Sequence, residues 1–211
     1  NILIGEFLGS CFLVMIIVGS GIMAENLTND DGIRLLANTI ATGAGLFVLI
    51  TAFADIPGAH FNPFVSLAMF FRKKIKGNLL KYYIPAQISG CLLGVMFANV
   101  FFEHSLLELS NKNRDGLHIF VSEIVATFGL IFIIFATLKD GKTIVAISVA
   151  TYISAGYWFT SSTSFANPAV SLARTFTDSF TGINYLNTPT YILAEFIGLI
   201  LAAYIFRIIY K

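Results

Sequence analysis

The residues of this chain that could do chemistry are few, and most come in pairs. Asn62-Pro63 and Asn167-Pro168 each sit inside an apolar stretch, in nearly the same words: HFNPFVSLA at 60–68 and FANPAVSLA at 165–173. Glu6 and Glu123 are carboxylates within long apolar runs, and His60, Asp55 and Arg174 lie close to the Asn-Pro segments. No nucleophile–base set is apparent, so no enzyme activity and no cofactor are expected. Cys11 and Cys91 have no metal spacing and read as packing residues. What remains is hydrogen bonding: amides, an imidazole and backbone carbonyls can hold and orient a small polar molecule without altering it.

The elements that must position these groups are apolar helices. The chain is 56% hydrophobic and only 12% charged, with a mean hydropathy of +0.80, which excludes an ordinary soluble domain. The apolar residues gather into runs of the length that a bilayer core of about 30 Å requires. Six are predicted to span: Ile2–Met23, Leu35–Phe53, Tyr82–Phe102, Ile119–Leu138, Ile144–Phe159 and Tyr191–Tyr210. The fifth is the weakest, diluted by Ser148, Thr151 and Ser154. Phe61–Phe71 and Phe165–Phe176 are too short to span, and these carry the Asn-Pro pairs. Residues 2–23 are too long for the apolar region of a signal peptide, and no basic stretch precedes them.

The chain also repeats itself. GEFLGS at 5–10 matches SEIVAT at 122–127, pairing Glu6 with Glu123, and AQISG at 86–90 matches AEFIG at 194–198. With the Asn-Pro segments, three pairs keep their order in halves of about 1–110 and 111–211 of one channel-like domain, 1–211. Each half crosses three times, so the second starts on the opposite side and the repeats are inverted. Asn suits a helix N-cap and Pro its first turn. Helices starting at Pro63 and Pro168 and running about nine residues reach about 13 Å, half a membrane. Two such half-helices would meet near the midplane with their N-termini facing. Each brings roughly half a positive charge, which disfavours cations there. Extended segments Gly58–Phe61 and Thr163–Ala166 would offer carbonyls as a ladder of acceptors, with the Asn62 and Asn167 amides as donors at the midplane.

Arg72, Lys73, Lys74, Lys76, Lys81, Lys139, Lys142, Arg207 and Lys211 fall on one side of this topology, and Arg34, Lys112, Arg114 and Arg174 on the other. The positive-inside rule puts the first group and both termini in the cytoplasm. Topology alone accounts for the basic cluster, so no nucleic-acid partner is expected.

GAHFNP, FANPAV, six spans, a Glu in the first and fourth, and AQ opening the third resemble the aquaporin (major intrinsic protein) superfamily over essentially the whole chain. The resemblance implies an all-α membrane protein of six transmembrane helices plus two half-helices in two inverted repeats. It also implies one pore per subunit, a homotetramer in membrane lipid, and small neutral solutes and water as the only partners. In water-selective members an Arg directly follows the second Asn-Pro-Ala; here that residue is Val170. Matching the spans to the family places Ala44 and Ala155 beside Ser164 and Val170 in an outer filter that is wide and lacks Arg, while a slip in the fifth span would admit Tyr157 or Trp158. NPAVSLARTFTDSFTGI further resembles a bacterial, arsenic-associated branch. It implies a passive channel for glycerol-like polyols, trivalent arsenic acids and water in a bacterial inner membrane. A water-selective aquaporin and an ion-coupled secondary transporter are the alternatives.

Several residues carry two readings. Arg174 could guard the outer vestibule, or pair at the interface with Asp178 four residues on, the more usual fate of such a residue. Glu6 and Glu123 could couple protons, though their repeat symmetry argues for holding the backbone of the Asn-Pro loops. Asp55 could attract cations at the inner mouth or pair with the Lys73–Lys76 cluster. His60 reads as a pore wall. Phe64, where the family has Ala, reads as half-helix packing or as a bulkier midplane. The Gly5–Gly9 and Gly90–Gly94 spacings predict close helix approach.

Overall fold

Among the described residues the chain forms eight α-helices. The computed structural model describes residues 2–56 and 58–210; Asn1 and Lys211, both part of the topology expectation, lie outside the described residues. The helices are α1 (Ile2–Leu27), α2 (Asp31–Phe53), α3 (Pro63–Phe71), α4 (Gly77–Phe101), α5 (Leu117–Thr137), α6 (Lys142–Phe159), α7 (Pro168–Ala173) and α8 (Thr188–Ile209). Five of the six long helices are long and apolar enough to cross a membrane; α6 is not among them. Its 18 residues still reach about 27 Å, and it is held in the bundle by packing on α2 and α5.

The two short helices begin where the Asn-Pro pairs put them. Asn62 Oδ1 accepts from Phe64 N (2.9 Å) and Val65 N (3.3 Å). Asn167 Oδ1 accepts from Ala169 N (3.1 Å) and Val170 N (3.4 Å). Each proline occupies the first turn, where its missing N–H costs nothing. In the second half the α-helix is shorter than expected: it stops at Ala173, and a 3-10 turn, Arg174–Phe176, completes the path.

Repeat symmetry extends to the packing. α1 lies against α4 as α5 lies against α8, and small residues let the backbones approach. A Cβ at Gly90 would strike the Phe7 carbonyl, and one at Gly94 the Cys11 carbonyl. At the equivalent of Gly90 in the second half, a Cβ on Gly198 would strike Ile124 O. Gly9 instead faces the Phe61 ring. Because a carbonyl on a rigid helix cannot move aside, Gly90→Ala should destabilise the fold by about 1–3 kcal/mol, read as a lower melting temperature in detergent. Gly19→Ala serves as the contrast: its added carbon meets Phe102 at 3.6 Å, an ordinary contact, and the melting temperature should not fall.

Candidate functional site

The loops entering the two short helices are bent alike. Ala59 and Phe61 have φ of 52° and 49°, and their repeat equivalents Ser164 and Ala166 have 50° and 47°. Left-handed backbone at non-glycine residues costs about 1–2 kcal/mol each, so something must hold it. Glu6 does so in the first half, accepting His60 N (2.9 Å) and Phe61 N (2.8 Å). Glu123 does so in the second, accepting Phe165 N (3.3 Å) and Ala166 N. Both carboxylates are fully buried, and every one of these amides would otherwise be orphaned away from water. In each half one buried glutamate thus accepts two successive backbone amides of the Asn-Pro loop.

Asn62 and Asn167 do more than cap. Asn62 Nδ2 donates to Ala166 O (2.7 Å), and Asn167 Nδ2 donates to Phe61 O (2.8 Å). Each amide crosses to the other half's loop, so one of its two N–H groups is spent and one is left for a passing molecule. Both asparagines line a cavity that runs between the halves. Met69, Leu138 and Val145 line one end, Thr42, Tyr157, Ser164, Val170 and Arg174 the other, with His60 between. His60 Nδ1 is hydrogen-bonded to Ser66 Oγ (3.0 Å), which fixes the ring against the wall.

Two of the expected filter residues are not on this wall. Ala44 and Ala155 face outward and are exposed; Ala44 lies with Gly43 and Ser154 in a shallow groove on the outside of α2 and α6. Thr42 and Tyr157 take their places, with Tyr157 Oη 3.3 Å from Thr42 Oγ1. Each error is two residues, and two residues turn a helix by about 200°, from the lumen to the lipid. Trp158 is likewise exposed. Val170 and Ser164 do line the cavity, and Ser164 Oγ is buried with no hydrogen-bond partner.

Arg174 departs from its favoured interfacial pairing. Asp178 accepts instead from Asn111 N (2.9 Å) and Asn111 Nδ2 (3.0 Å). Arg174 is 2% exposed, with its guanidinium carbon 3.4 Å from the Phe165 ring centroid and its Nε on Thr181 O (2.5 Å). Arg114 and Lys112 hold the same turn: Arg114 on Gly182 O (2.8 Å) and Phe180 O (3.0 Å), Lys112 on Phe180 O (2.8 Å). Burial, with Arg114 close by, pushes the Lys112 ammonium down to about 8. At the other end Asp55 pairs with Lys142 rather than with Lys73–Lys76, and both side chains are exposed. Such pairs contribute little. Phe64 turns away from the cavity onto Phe196, with ring centroids 5.9 Å apart.

Glu195 was missed in the sequence reading. It accepts from Asn167 N (3.1 Å) and Ser171 Oγ (2.6 Å), as Gln87 meets Ser66 Oγ (2.8 Å) and Glu6 Oε2 (2.7 Å) in the first half. The signal was present in the match of AQISG to AEFIG, which sets a third carboxylate in an apolar span, and in the serine common to both Val-Ser-Leu-Ala stretches.

Comparison with known proteins gives a consistent result. The family profile described as Major intrinsic protein matches residues 1–206. Aquaglyceroporin AqpS of Rhizobium meliloti (strain 1021) is 45% identical over 204 residues, covering 97% of this chain and 88% of the relative. Aquaporin-4 of Rattus norvegicus is 25% identical over 214 residues, covering 97% and 66%. The crystal structure of the aquaglyceroporin from Plasmodium falciparum superposes with a TM-score of 0.73 at 22% identity, covering 96% of this chain and 93% of that one.

Proposed function

The chain belongs to the major intrinsic protein family, and from that premise we propose that it is a passive channel for small neutral hydroxylated solutes: glycerol-like polyols, trivalent arsenic acids and water. The observation that carries this reading is the far end of the cavity, where Thr42 and Tyr157 set their hydroxyls beside apolar Val170 and Ile153. Such a wall offers hydrogen bonds to hydroxyl groups and an apolar surface to carbon, without a charge directly after the second Asn-Pro-Ala. The two half-helix N-termini oppose cations. Arg174 adds a fixed positive charge one turn outward.

The working unit is the single domain 1–211, with halves of about 1–110 and 111–211, assembled as a homotetramer in a bacterial inner membrane. The basic end, at Arg72–Lys81 and Lys139–Lys142, faces the cytoplasm with both termini, and the Arg114–Arg174 end faces out. Swelling of vesicles containing the protein, in glycerol, arsenite and plain osmotic gradients, should show all three permeating. A protein passing water alone would support the water-selective alternative, which the approach of Tyr157 to Thr42 and the presence of Arg174 favour. Flux should follow the solute gradient alone. Uphill accumulation driven by a proton gradient would replace the channel with a coupled transporter.

A further inference from the structure

The two halves differ at one buried position where the repeat would have them match. Gln87 on α4 gives an N–H to Glu6, but its equivalent on α8 is Glu195, and a carboxylate has no N–H to give Glu123. Glu195 Oε1 takes Asn167 N and Ser171 Oγ, while Glu123 takes the two preceding amides, Phe165 N and Ala166 N. Two carboxyl groups, both 0% exposed, therefore hold three successive amides and must lie side by side. Both oxygens of Glu6 and of Glu123 are hydrogen-bonded. Glu195 Oε2 is buried with no partner.

We infer that Glu123 and Glu195 share one proton, carried on the Glu195 Oε2 side, and that this protonated pair is the positioning device for the Asn167 loop. An ionised carboxylate oxygen buried without a donor is too costly to persist, and two adjacent buried anions cannot both ionise. One proton leaves a single negative charge beneath the second loop, the charge that Glu6 and Gln87 together place beneath the first. Loss of the proton to base would leave two like charges on successive amides and push the carboxyls apart. That frees Asn167 N or Ala166 N and loosens Asn167, whose side chain reaches Phe61 O. Other groups also face the pair. α7 contributes Ser171 and, at its outer end, Arg174; the Ser162 hydroxyl bonds Glu123; Tyr152 on α6, Tyr191 on α8 and Arg114 of the outer loop act on Glu123. α3 contains no titratable residue.

Infrared spectroscopy of the whole protein in lipid vesicles tests the proton directly. At neutral pH the wild type should show the C=O band of a protonated carboxyl. Glu195→Gln and, separately, Glu123→Gln should each lose it, because either leaves one carboxylate beside one neutral partner. Absence of the band in the wild type, or its survival in both variants, overturns the inference. The second arm rests on the channel reading: glycerol flux through the wild type should fall in alkaline buffer and recover on return to neutral, and Glu195→Gln should show no such pH dependence. The same alkaline fall in Glu195→Gln would overturn the positioning role. If no solute permeates at any pH, the channel reading fails instead, and the infrared band still decides the proton.

Discussion

Replacing Val170 with arginine should cut glycerol and arsenite flux about tenfold or more, an added barrier of about 1.4 kcal/mol, while water flux falls less. Val170 is 2% exposed and lies on the cavity wall. An arginine there must extend into the same lumen as Thr42, Tyr157 and Ser164. It would fill the space that a carbon-bearing solute needs and leave a charged donor that water can still pass. Arg174, one turn onward, adds a second guanidinium with which the new one repels. Solute-specific swelling at matched protein levels is the measurement. Equal loss for all three solutes would indicate misfolding. Unchanged glycerol and arsenite flux would mean that Val170 does not line the constriction, and Arg174→Leu would be the next variant to measure.

The largest effect on stability should come from Glu6→Leu. That change orphans three buried N–H groups at once: His60 N, Phe61 N and one of the two on Gln87 Nε2, whose other stays on Ser66 Oγ. At about 1–3 kcal/mol for each unsatisfied donor, the loss is on the order of 5 kcal/mol, much of a typical domain's total stability. Assembled protein should drop sharply, and whatever survives purification should melt far below the wild type in detergent. Glu6→Gln keeps one acceptor oxygen and should lose less. A Glu6→Leu protein melting within a few degrees of the wild type would show that the loop does not depend on the carboxylate.

Legibility tracked how local each cause is. Asn-Pro before Val-Ser-Leu-Ala announces a capped helix in four residues, and both short helices begin at the prolines named from sequence. Glu6 and Glu123 were legible as a matched pair because repeat symmetry turns an odd acid into a structural one. The filter was not, since Ala44 and Ala155 were placed by matching spans, and helical phase does not survive a two-residue slip. For Arg174 the prior of a solvent-facing interfacial pair failed. Its environment comes from Phe165 and from the Thr181 carbonyl, and no helical spacing encodes the turn that brings Thr181 back. The weak apolarity of 144–159 was a true feature of α6, but its place in the bundle is settled by its neighbours.

The crossed asparagine bonds also set a schedule. Their partners are 104 and 106 residues apart, so at a synthesis rate of about 5–20 residues per second, the Asn62 side chain waits roughly 5–20 s for the Ala166 carbonyl to exist. Through that interval the first loop has its glutamate but not its clasp, and the half-built chain has only one wall of the conduit. The opening through the membrane is among the last things the growing chain completes, and quality control has a distinct species, an unclasped first half, on which to act.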